Sequence, residues 1–209
     1  MAKKLMILAI VLVMGAGAAG AIEYAPGTLV FNIGTGLNFS TPKLEVIVSG
    51  GSSPVTSGES VYAPGGLVSL EWFKGRMSYG VETGFLYAGY DFFGDTFSVM
   101  AIPVMFRFGW HPKFIKAKNL DVYLLGKVGI TIGSIGGNLG DLCDTSPWGI
   151  SGGGSIGAKY FFTQTIGLFL EGGFNAYRVN AQITEPGIEY TLSTNIDNYV
   201  TLGVSIKTK

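Results

Sequence analysis

Six charged residues stand inside apolar or small-residue stretches: Glu71 in SLEWF, Glu82 in GVETG, Arg107 in MFRFG, Lys127 in LGKVG, Lys159 in GAKYF and Glu171 in FLEGG. An unpaired ionised group in such surroundings is very costly, so each must reach water or an opposite charge. Three acids and three bases can satisfy one another, and an internal ion-pair network is the chemistry that these residue types allow.

Other reactive groups are scarce. The single histidine, His111, precedes Pro112 in the connection WHPKFIKAKN and reads as a surface turn residue rather than a general base. The single cysteine, Cys143, lies in GDLCDTSPW between Asp141 and Asp144, carboxylates that disfavour a thiolate, so it reads as inert. One cysteine also excludes an internal disulfide or a multi-cysteine metal site. Asp141, Asp144, Glu185, Glu189 and Asp197 lack the spacing of a calcium loop and read as solvated loop charge. Neither a metal nor a cofactor is expected.

The chain has 209 residues, enough for one domain with a sizeable core. With 14 basic and 14 acidic residues it has no net charge, so there is no basic face for a nucleic acid. Only 13% of residues are charged, about half the usual share, and mean hydropathy is +0.40. Water is not the only solvent that such a chain is built for.

The start, MAKKLMILAIVLVMGAGAAGA, has two lysines, an apolar run from Leu5 to Met14 and small residues ending at Ala21. It reads as a signal peptide over residues 1–21, cut after Ala21, because the apolar run of about ten residues falls short of the roughly 20 that a spanning helix needs. The glycines at 15, 17 and 20 match a dinucleotide-binding fingerprint, but IEYAPG follows where that motif needs a helix to begin.

The six charges must be positioned by strands. After Pro26 no useful segment has an apolar 3.6 period, whereas period-two alternation recurs over 28–38, 66–73, 77–88, 96–109, 120–132, 150–162, 165–178 and 197–207. Short turns, such as Lys74-Gly75-Arg76 and Thr163-Gln164, alternate with loops rich in Gly, Ser, Asn, Asp and Pro, the long ones being 40–65, 133–149 and 179–196. An even number of strands, short turns at one end, long loops at the other and both termini at the short-turn end predict an all-β fold: an eight-stranded antiparallel up-and-down transmembrane β-barrel spanning 22–209.

The alternation assigns faces. In the third predicted strand Tyr79, Val81, Thr83, Phe85 and Tyr87 face outward to lipid, and Ser78, Gly80, Glu82, Gly84 and Leu86 face inward. Trp72, Phe106, Phe108, Trp110, Tyr160 and Phe162 complete an aromatic girdle near the short-turn rim. The first and last strands carry the same phase, as closure requires. In this register Glu71, Glu82, Glu171, Arg107, Lys127 and Lys159 all point into the lumen. Pro103, in SVMAIPVMFRF, lacks a ladder N–H, and a bulge there would shift the phase at Arg107.

At AIPVMFRFGW, YLLGKVGITIG and IGLFLEGGFNAYRV the chain resembles the small bacterial outer-membrane barrels grouped around OmpA, OmpX and OmpW, over essentially all of 27–209. The resemblance implies insertion by the outer-membrane assembly machinery, which in that family recognises a last strand ending in an aromatic residue. This chain departs from the pattern: it ends YVTLGVSIKTK, with Ile206 at that place.

Three functional readings follow. The first is a non-enzymatic outer-membrane protein, with outer-membrane lipid as its surroundings, a plugged lumen and loops 40–65, 133–149 and 179–196 that engage an extracellular ligand or host surface. The second is a narrow transporter, with Leu67, Leu86, Phe97, Val99 and Met105 as apolar lumen residues. The third, a secreted lipocalin-like barrel, requires the inverse faces, apolar inside and charged outside. No Ser/His/Asp set can be assembled at the outer rim, so catalysis is not expected.

Overall fold

The computed structural model describes residues 22, 24–48, 51–52, 56–57, 61–92, 95–112, 119–137, 148–177, 179–185 and 188–208, without side chains at 40–61, 90–97, 137 and 177–197. The expected signal peptide and Cys143, Asp141 and Asp144 lie outside the described residues, as do the side chains of Phe97, Glu185, Glu189 and Asp197.

Among the described residues eleven strands run in chain order: β1 (Leu29–Val48), β2 (Gly51–Ser52), β3 (Thr56–Ser57), β4 (Val61–Lys74), β5 (Met77–Phe92), β6 (Asp95–Trp110), β7 (Leu120–Gly137), β8 (Trp148–Phe161), β9 (Ile166–Tyr177), β10 (Val179–Glu185) and β11 (Ile188–Lys207). Eight of them, β1, β4 to β9 and β11, pair antiparallel with their neighbours, and β1 closes on β11. Closure leaves the wall without a free sheet edge. No helix appears among the described residues.

Two turns at the terminus-bearing end follow from local chemistry. Gly75, at φ 67°, is the first central residue of the two-residue β4–β5 hairpin, a position where glycine carries no steric penalty. Between β8 and β9 the Thr163 hydroxyl accepts the N–H groups of Ile166 at 2.8 Å and Thr165 at 3.2 Å, which closes that turn without a long loop.

The strands run further than alternation alone suggests. The expected loops 40–65 and 179–196 are largely strand: β1 pairs with β11 as far as Val48↔Ile188, and β10 pairs with β11 from Val179↔Thr194 to Glu185↔Ile188. Adjacent extended segments satisfy each other's backbone groups, so pairing continues where the apolar pattern has ended. The β1–β11 register shifts between Phe39 and Ser40, which is where the outward apolar pattern of β1 stops.

The two faces of the wall differ sharply. Phe31, Ile33, Leu37, Trp72, Val81, Phe85, Tyr87, Val104, Phe106, Leu168 and Leu202 are exposed on the outside, and Asn32, Ser69, Thr131, Ser151, Thr201 and Ser205 are buried inside. The lipocalin-like arrangement is therefore inverted in this protein. Pro103 faces inward and the ladder is interrupted there, because Thr83↔Val104 is followed by Leu86↔Ala101. Register is kept across the gap, and Pro103↔Thr131 is regular on the other side. No bulge shifts the phase at Pro103, and Arg107 keeps its inward orientation.

Candidate functional site

The charged residues meet in one layer across the lumen. Arg107 on β6 is its centre: one terminal nitrogen contacts Glu82 of β5 and lies 3.2 Å from Ser69 Oγ of β4. The other lies 2.9 Å from Glu171 of β9 and 3.5 Å from Glu71 of β4. Lys127 of β7 bridges Glu82 at 3.0 Å and Glu171 at 2.7 Å, and Lys159 of β8 reaches Glu71 at 2.7 Å. All six are buried, so the pairs are little screened by salt and depend on complete hydrogen bonding.

Neutral side chains complete the layer. Asn32 of β1 donates to Glu71 at 2.7 Å and accepts from Ser205 of β11 at 2.6 Å. Tyr199 of β11 and Tyr123 of β7 donate to the two oxygens of Glu171 at 2.5 and 3.1 Å. Lys127 lies 4.7 Å from the Tyr199 ring centroid and Lys159 4.7 Å from that of Tyr123. Every wall strand thus contributes at least one member. The layer is a cross-brace, neutral in sum, that spans the lumen.

Small residues make the room. A Cβ on Gly157 would overlap the Tyr123 ring, coming within 2.7 Å of its Cε2. On the long-loop side of the layer is a cavity of about 20 Å³, lined by Asn38, Leu86, Pro103, Lys127 and Tyr199 among others. That is space for about one water. Leu86, Ala101 and Met105 pack together near it, with Val99 buried and Leu67 half-buried.

A second polar row lies at the terminus-bearing end. His111 Nδ1 is 2.9 and 3.0 Å from the two Asp121 oxygens, His111 Nε2 is 2.9 Å from Ser78 Oγ, and the Tyr24 hydroxyl donates to Asp121 at 2.8 Å. His111 is 5% exposed, which corrects its reading as a surface turn residue. The chain turns inward at the end of β6, where the His111 N–H donates to the Arg76 carbonyl at 2.8 Å, and the ring follows into the lumen. Nucleophile, base and orienting acid stand in the order of a hydrolytic triad. Ser78 is 1% exposed, however, and Phe73 and Tyr24 pack against the His111 ring, with centroids 4.7 and 5.9 Å away.

The sequence matches no protein-family model and no curated protein. Among solved structures, the crystal structure of the outer membrane protein OprG from Pseudomonas aeruginosa superposes with a TM-score of 0.63 at 11% identity, covering 88% of this chain and 97% of that one. The fold is that of the small outer-membrane barrels. Neisserial surface protein A aligns with a TM-score of 0.49 at 15% identity over 83% of this chain and 97% of that one. The outer membrane protein AlkL, solved in lipid bilayers, aligns with a TM-score of 0.45 at 14% identity over 92% and 95%.

In this barrel Trp72, Tyr79, Tyr87, Phe106, Phe108, Trp110, Tyr160 and Phe162 all stand exposed on the outer face. Phe108 touches both Tyr79 and Phe106, with ring centroids 5.8 and 4.6 Å away. Sequence reasoning on charges alone passes over Asn32, Ser69, Tyr123, Tyr199 and Ser205. Their inward phase was readable, but their role depends on which strand lies opposite.

Proposed function

We propose that this protein is a non-enzymatic barrel of the bacterial outer membrane. Its outer wall is held in lipid, its lumen is closed by the charged layer, and the work is done by the chain beyond the long-loop rim, within 40–65, 133–149 and 179–196. The observation that carries this reading is the wall itself: large apolar side chains are exposed on every wall strand, and the six charged residues of the layer are buried inside together with His111 and Asp121. Water would reverse that distribution. The likeness in fold to OprG, an outer membrane protein, supports the same place. Delivery there through a cleaved leader at 1–21 and the assembly machinery belongs to this proposal, with Ile206 as the residue read at the end of the last strand.

The test is planar-bilayer conductance of the refolded, heat-modifiable protein, wild type beside Glu82→Gln and Lys127→Gln. A closed waist gives silent bilayers for the wild type. Steady wild-type channels whose conductance changes in the variants would sink the plugged-lumen reading.

The interrupted β5–β6 ladder favours transport as a second reading. At Gly84 and Phe85 the wall has no ladder partner on β6, and Leu86 and Pro103 line the small cavity just inside. An apolar solute could pass sideways there without crossing the charged layer. Pro103→Val supplies the missing N–H; under this reading it slows uptake of small apolar solutes into vesicles, and unchanged uptake removes it.

A further inference from the structure

The segment that precedes β1 folds back into the end of the barrel. Tyr24 is only 7% exposed, and its ring stacks on Phe73 with centroids 3.7 Å apart and an interplanar angle of 23°. Phe161 meets it edge-on at 6.4 Å, Val30 belongs to the same apolar cluster, and the Lys207 ammonium is 5.9 Å from its centroid. The Tyr24 hydroxyl donates to Asp121, which is held by His111, itself bonded to Ser78. Burial first, and then the Asp121 carboxylate, hold the Tyr24 phenol well above its usual range, so it remains a donor. Among the described residues, two backbone bonds tie the segment to the wall: the Gly27 N–H donates to the Phe73 carbonyl at 2.9 Å, and the Phe73 N–H donates to the Thr28 carbonyl at 3.0 Å.

The features of a ligand site are all present: an aromatic floor, an acidic acceptor oriented by a second polar pair, a cation at the ring and a glycine that makes room. A Cβ on Gly109 would meet Ser78 Oγ and come within 3.0 Å of His111 Nε2. We propose that this end of the barrel is a phenol-binding site filled in cis by Tyr24, and that residues 24–28 form the gate that keeps the Ser78–His111–Asp121 row from water. The inference goes beyond the membrane reading and does not depend on it, because the site lies inside the barrel whatever surrounds the wall.

His111 is the sole histidine, so its carbethoxylation by diethyl pyrocarbonate reports directly on access to the site in protein prepared without a histidine tag. In the folded wild type the reaction is at least about tenfold slower than for free imidazole. In Tyr24→Ala, checked to remain heat-modifiable, it rises at least about tenfold, and added 4-methylphenol, the tyrosine side chain as a free molecule, restores protection. Toluene, which fills the same space without a donor, binds about 10- to 100-fold more weakly, as the loss of a hydrogen bond to a carboxylate implies. Tyr24→Phe keeps the ring and gives an intermediate rate; it carries the test if Tyr24→Ala does not fold. Wild-type reactivity near that of free imidazole, or no acceleration in either folded variant, overturns the gate. Acceleration that 4-methylphenol fails to reverse, or that toluene reverses equally well, overturns the phenol site.

Discussion

Glu171→Gln probes the charged layer where it is most connected. One Glu171 oxygen takes Lys127 at 2.7 Å and Tyr199 at 2.5 Å; the other takes Arg107 at 2.9 Å and Tyr123 at 3.1 Å. A glutamine offers one acceptor oxygen and turns two N–H donors toward the remaining donors, so two of the four contacts become repulsive. The layer also passes from three acids and three bases to two and three. Breaking a buried pair in this way costs about 3–5 kcal/mol, a large fraction of the roughly 5–15 kcal/mol that holds a domain together. Urea unfolding in detergent or lipid vesicles, followed by tryptophan fluorescence and by the heat-dependent gel shift, measures it. The double variant Glu171→Gln with Lys127→Gln restores neutrality and should cost less than the sum of the singles by about 0.5–3 kcal/mol. A single-variant cost below about 1 kcal/mol, or strict additivity, would refute the claim that the layer acts as one network.

Two further substitutions test the wall. Gly157→Ala forces the Tyr123 ring aside and with it the bond to Glu171, and should destabilise by about 1–3 kcal/mol in the same unfolding assay. Val81→Arg places a charge on the outer face at a residue that is 54% exposed. With lipid there it costs about 2–4 kcal/mol near the midplane, and with water there almost nothing, so a negligible cost in vesicles would exclude a lipid-facing wall at β5.

The sequence by itself determined the period of the strands and the phase of each face. Alternation around Glu71, Glu82, Lys127 and Glu171 puts each of them opposite the apolar residues beside it, and this follows from pleat geometry without knowledge of any partner. At Pro103 the sequence marked the missing N–H but left the phase beyond it open; the period runs on, because one missing N–H interrupts a ladder without altering the side-chain period.

What only the tertiary structure decided is who meets whom. Arg107 joins Glu71, Glu82 and Glu171 because closure brings β4, β6 and β9 around one narrow lumen, a juxtaposition set by the closed strand order and absent from any local pattern. His111 was misread for the same reason: beside Pro112 it has the local signature of an exposed turn, and only the arrival of Asp121, Ser78 and Tyr24 from elsewhere in the chain turns its ring inward and satisfies it. The reach of β1 and β11 beyond residues 40 and 196 was likewise hidden, because backbone pairing between distant segments needs no apolar period to sustain it.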